Sequence, residues 1–172
     1  YFGRIYGSTL EYGNPFTNDD IELSGTNQVA QNGNYTNYNG DFYMAGEDQD
    51  NAAGDGIDEK ILTFSVDIST GDILNFKGLF GAGNEGGCDP TFGYDVEDYI
   101  KVWYSVDGGA DVLGLQFLSN VDCTVPGDDS EHDLYNDPNL NGDINDDGVL
   151  MSGAMQEFSF SFPNGNNVDI TI

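Results

Sequence analysis

Cations are nearly missing from this chain: Arg4, Lys60, Lys77 and Lys101 stand against 31 Asp and Glu in 172 residues, for a net charge of -27. Nucleic-acid binding depends on Lys and Arg that neutralise phosphates, so it is excluded as an expectation. An anionic membrane surface is disfavoured for the same reason. No apolar run approaches the ~20 residues of a membrane-spanning helix, so membrane insertion is not expected. No basic segment followed by an apolar stretch opens the chain, and no signal peptide is visible. Because the chain begins at Tyr1, it reads as a processed or excised piece of a longer product.

Histidine is equally scarce. The single His132 lies between Glu131 and Asp133 in an acidic loop, which suits a solvated residue or minor ligand better than a general base. No Ser–His–Asp order and no nucleophile elbow occur. The glycine-rich run Gly83-Asn84-Glu85-Gly86-Gly87 carries no Lys to hold a phosphate. A glycosidase needs only two carboxylates, which this chain has in excess. Without a substrate-positioning Arg or His cluster, however, the expectation is a non-enzyme. Only two cysteines occur, Cys88 and Cys123. They are expected to form one disulfide in an oxidising, extracellular compartment, the alternative being two free buried thiols. They are too few and too far apart for a zinc site.

What the chain does contain is apolar alternation of period two. Leu62, Phe64, Val66 and Ile68 share one face of Ile61–Ile68. Leu74, Phe76 and Phe80 align within Ile73–Phe80. Ile100, Val102, Tyr104 and Val106 alternate with Tyr99, Lys101, Trp103 and Ser105. Leu113, Leu115 and Phe117, then Phe158, Phe160 and Phe162, then Val168, Ile170 and Ile172 complete the set. Asp107-Gly108-Gly109 and Asn164-Gly165-Asn166 read as hairpin turns, and 67–72 as another short connection. The expected fold is all-β: a two-sheet antiparallel β-sandwich, jelly-roll-like, with long calcium-binding loops. Residues 1–172 are read as one domain, with 1–40 left unassigned. Two long polar loops, 81–97 and 120–155, each carry one cysteine. Long loops in a compact domain are functional or held by something.

So much negative charge destabilises a compact state unless salt screens it or cations bind. Asp143-Ile144-Asn145-Asp146-Asp147-Gly148 resembles the first half of a calcium loop. It offers Asp143, Asn145 and Asp147 at alternate positions, Gly148 at a sharp turn, and the Val149 carbonyl next. The twelfth position is Ala154, so Glu157 or Asp137 would have to complete the shell. The plainer alternative is a solvated Asx-rich turn. A second calcium ion is expected where Asp48 or Asp50, from the acidic run 47–59, meets Asp98 beside Asp95 and Glu97. The alternative there is a solvated acidic surface.

The segments Gly40-Asp41-Phe42-Tyr43-Met44-Ala45-Gly46-Glu47-Asp48-Gln49-Asp50, Leu62–Ile68, Leu79-Phe80 and Asp98-Tyr99-Ile100-Lys101-Val102-Trp103-Tyr104 together resemble a jelly-roll module. Such modules recur in large secreted multidomain proteins of marine-type bacteria. The resemblance spans roughly 40–172, with a longer insertion around 128–148. It implies a calcium-stabilised accessory domain similar to carbohydrate-binding or lectin-like sandwiches, with a polysaccharide or cell-surface glycan as partner. Tyr35, Tyr38, Tyr43 and Tyr94, in or near polar segments, are candidate stacking residues. Trp103 belongs either to the core or to a sugar-binding face. A second reading is a structural subunit of an extracellular filament, sheath or surface layer, self-assembled by strand pairing.

Overall fold

The computed structural model describes residues 2–6, 37, 39, 42–46, 61–71, 74–82, 99–119, 134–152 and 154–172, the first and fourth of these spans as backbone. Ten strands and one helical turn occur there. In chain order they are β1 (Phe2–Tyr6), β2 (Phe42–Gly46), β3 (Thr63–Asp67), β4 (Leu74–Phe80), β5 (Tyr99–Val106), β6 (Val112–Ser119) and β7 (Leu134–Asn136). Then come α1 (Ile144–Asp147), β8 (Val149–Leu150), β9 (Gln156–Phe162) and β10 (Asn167–Thr171). All pairings are antiparallel. β1 pairs with β2; β3-β10-β5-β6-β7-β8 form a six-stranded sheet; β4 pairs with β9.

The alternation seen in the sequence decides which face each strand buries. Val102 on β5, Leu115 and Phe117 on β6, and Val168 and Ile170 on β10 form the buried centre of the large sheet. The β4–β9 ribbon lies over it. Phe160 stacks on Phe76 at 5.0 Å and on Tyr104 of the large sheet at 5.2 Å. Phe117 meets Phe158 edge to face at 5.1 Å and Phe80 at 4.8 Å. A two-stranded ribbon is marginal in water by itself. Here the rings supply what its backbone pairing lacks, since each contributes a large buried area and a favourable ring–ring geometry.

Three sequence expectations change in the structure. First, 163–166 is not a hairpin: β9 and β10 belong to different sheets, so this turn carries the chain from one layer to the other. The link after β3 does the same, with the Ser69 amide closing on Asp67 Oδ1 at 2.9 Å. Second, Leu113 does not share a face with Leu115 and Phe117. The β5–β6 register shifts between Val102 and Trp103, setting Leu115 opposite Val102 but Leu113 opposite Trp103. The extra residue is Gly114, where a Cβ would stand 2.6 Å from the Phe160 ring. Only glycine lets the ribbon approach so closely, and the bulge follows from it. Third, Phe64 and Val66 face the core side but remain 40% and 44% exposed. They sit on β3, the edge of the six-stranded sheet, beyond the reach of a cover two strands wide. The hairpin expected at Asp107-Gly108 is present, with φ of 52° and 70° at the two residues. That is the mirror-image turn whose twist matches the flanking strands.

Candidate functional site

Residues 137–148 leave β7, turn through one helical turn, and enter β8. Asp137 is completely buried at the root of this loop. Its carboxylate accepts from Leu140 N at 2.9 Å, Gly142 N at 2.7 Å and, across the sheet, Gln116 Nε2 at 2.9 Å. Burying a carboxylate is costly unless donors converge on it, and three do. The chain then winds through successive Asx turns. Asn139 Oδ1 accepts from Asn141 N at 2.9 Å, Asn141 Oδ1 from Asp143 N at 2.6 Å, and Asp143 Oδ1 from Asn145 N at 3.0 Å. Gly142 has φ of +84°, a conformation that favours glycine. Asn139 Nδ2 and Asn141 Nδ2 both donate to Asp146 Oδ2, at 3.2 and 3.0 Å.

The hydrogen bonds of the loop thus converge on Asp137, six residues before the Asp143 motif. Counted from Asp137, oxygen-bearing side chains fall at the first, third and fifth positions (Asp137, Asn139, Asn141) and the sharp-turn glycine at the sixth (Gly142). The Asp143 carbonyl is seventh and Asn145 ninth. That is the ligand order of a calcium loop through its ninth position. The twelfth is Gly148, so the carboxylates nearest the closing end are Asp146 and Asp147. Asp143 and Asn145 remain within the loop, Asp143 capping α1. Gly148 has φ of -55° and closes α1, its N–H donating to the Ile144 carbonyl. Val149 belongs to β8, opposite Asn136. Glu157 is on β9, where its carboxylate binds Lys77 Nζ at 2.7 Å, away from the loop. Asn139 and Asn141, before the motif, and Asp146, within it but not at its alternate positions, carry hydrogen bonds of the same loop. The signal for them was the same alternate spacing, begun one motif earlier.

Electrostatics in the loop are uneven. The Asn141 carboxamide, ahead of the Asp147 and Asn139 hydrogen bonds, holds Asp146 below its ordinary value. Asp147 is raised, by desolvation first, then by its hydrogen bond to Asp146 and the charges of Asp146 and Asp137. Among the described residues, no three His, Cys, Asp or Glu side chains already gather as a metal-holding group. The loop oxygens are instead held by one another's amides. The donor set is nonetheless all oxygen, which suits a hard divalent cation rather than zinc.

A second candidate surface is the outer face of the six-stranded sheet. Trp103 is half-buried there, on the side opposite Val102 and Tyr104, and outside the hydrophobic core. Thr171 faces it across the ladder, with Thr63 next in the same row. At one end, a shallow polar depression is lined by Ser65, Asp107, Gly108, Asn166, Asn167 and Asp169. The expected residues Asp48, Asp50, Asp98, Tyr35, Tyr38, Tyr94, His132, Cys88 and Cys123 lie outside the described residues, so the second calcium site and the disulfide do too. No helix among the described residues is long and apolar enough to cross a membrane. No family model, curated protein or solved structure matches the chain. The class that the coordinates define is an all-β protein of antiparallel strands in layered sheets.

Proposed function

We propose that this chain is an extracellular, calcium-stabilised β-sandwich module that binds carbohydrate or mediates surface adhesion, and that it is not an enzyme. The observation that carries this reading is the loop on Asp137: a buried carboxylate at the first position and oxygen side chains at alternate positions after it. Asp137, Asn139, Asn141, Asn145, the Asp143 carbonyl and Asp146 or Asp147 would hold the ion. A cation there would offset the desolvation and, after it, the charges of Asp146 and Asp137 that raise Asp147. The resemblance to jelly-roll accessory modules and the placement of Trp103 outside the core support carbohydrate as the partner. The test is thermal melting in millimolar calcium and in chelator. A large fall on chelation is expected; an unchanged melting temperature removes calcium from the reading.

One observation favours the second reading, a structural subunit joined by strand pairing. Among the described residues β3 is an edge strand with Phe64 and Val66 exposed, as is Ile61 just before it, and β3 carries no Lys, Pro or bulge to block a further strand. Light scattering separates the two readings: calcium-dependent assemblies favour the subunit, a monomer in both conditions the binding module.

A further inference from the structure

Trp103 is the chain's single tryptophan, and it is the one strand aromatic of β5 that the fold turns away from the core between two core residues. On β5, Val102 is fully buried and Tyr104 stacks with Phe160, so alternation sends the indole to the other face. Thr171 stands directly opposite Trp103, and Thr63 opposite Thr171, with the two hydroxyls 3.4 Å apart. One rung further, Asp169 stands opposite Ser65, whose hydroxyl donates to the Asp169 carboxylate. The outer face thus carries an indole between two threonine hydroxyls on one side and Leu113 on the other, with a second polar row beside it about 7 Å along the strands.

This pattern narrows the occupant. An anionic polymer is repelled by Asp67 and Asp169 on the face and by the net charge of -27. Lys101, two residues along, already holds its ammonium 4.2 Å from the Tyr99 ring centre. An uncharged polyhydroxylated chain fits both halves: its ring C–H faces lie on the indole and its hydroxyls exchange hydrogen bonds with Thr171, Thr63, Ser65 and Asp169. Resting on the carbohydrate reading above, we infer that the outer face of β3, β10 and β5 is a platform for an uncharged polysaccharide, with Trp103 as its stacking residue.

The single tryptophan makes the test direct. The protein is run in native gels containing soluble xylan, mixed-linkage β-glucan or galactomannan, with alginate as the anionic comparison, in millimolar calcium. Tryptophan emission is followed with the same polymers. The expected result is retardation by at least one uncharged polymer, a shift in emission with that polymer, and at least a tenfold weaker affinity in Trp103→Ala at an unchanged melting temperature. Retardation with no change in wild-type emission overturns the platform but leaves carbohydrate binding standing, and this readout does not depend on the variant folding. Retardation by alginate alone overturns the uncharged class. No retardation by any polymer removes both the platform and the carbohydrate reading.

Discussion

Gln116 Nε2 donates to Asp137 Oδ2 at 2.9 Å, and both side chains are buried. Backbone pairing reinforces the link, since Asp137 N donates to Gln116 O at 2.9 Å and Asn136 Nδ2 to the same carbonyl at 3.1 Å. The acidic loop is thereby tied to the second strand of the β5–β6 hairpin. Anything that orders the loop is felt by the sheet.

Asp137→Ala leaves the Gln116 amide and two loop N–H groups without their acceptor. The expected loss is about 3 kcal/mol, since each unsatisfied buried donor costs on the order of 1–3 kcal/mol. Urea unfolding in the presence of chelator measures this structural part. In calcium the same variant is also expected to lose the stabilisation that the ion provides, about 2.7 kcal/mol at a hundredfold excess over Kd. An equal loss in both conditions would mean that the loop binds no ion.

Asp147→Asn separates repulsion from ligation. The Asp147 pKa is raised, so its charged form is the less favoured one in the folded state. Relative to the charged state, its contribution is fully present below the unfolded pKa and is lost as pH rises through the folded one. At neutral pH, removing the charge is therefore expected to raise the melting temperature in chelator and lower it in calcium. Opposite signs in the two melts support a cation shared by Asp147; a rise in both points to relief of repulsion alone.

Asp107 behaves in the other direction. Hydrogen bonds from the Asn167 and Asn166 amides hold its pKa below the ordinary value of 3.8. Such a group stabilises above the unfolded pKa, and the gain is lost as pH falls through the folded one. Melting of the wild type should fall more steeply than that of Asp107→Ala as pH drops below about 4. Parallel curves would mean that the turn before β10 does not depend on this carboxylate.

Phe117→Ala removes a fully buried ring that meets Phe80 and Phe158 and is expected to cost about 3–5 kcal/mol. Gly114→Ala should cost about 1–3 kcal/mol by driving a methyl into the Phe160 ring. Phe160→Leu in the Gly114→Ala background should then cost less than Phe160→Leu alone, and a double-mutant cycle in urea measures the coupling. Simple additivity would show that the bulge does not depend on this contact.

Alternation alone placed Val102, Phe117, Phe158, Phe160, Val168 and Ile170 inward, because a strand's two faces are a local property of the backbone. The Asp107-Gly108 hairpin was equally legible, since its two positive-φ residues are adjacent in the chain. Leu113 was misplaced because the bulge at Gly114 answers to a ring 46 residues away. The frame of the acidic loop is ambiguous in the sequence for a similar reason. Two overlapping alternate-residue patterns start at Asp137 and Asp143, and nothing local distinguishes them. Only the fold shows that Asp137 is buried against Gln116 on β6 while Asp143 caps α1.

The amino-acid sequence by itself determined the all-β class, the inward faces of most strands, the oxygen-rich composition of the 137–148 loop and the net charge of -27. These follow from local backbone geometry and from composition, which need no partner strand. Only the tertiary structure decided that β9 pairs with β4 and β10 with β3 and β5, that Phe64 and Val66 lie uncovered at an edge, and that Trp103 faces outward beyond the core. Each of those outcomes depends on which distant strand lies alongside, and pairing between distant strands is set by the packing of the whole sheet rather than by any one segment.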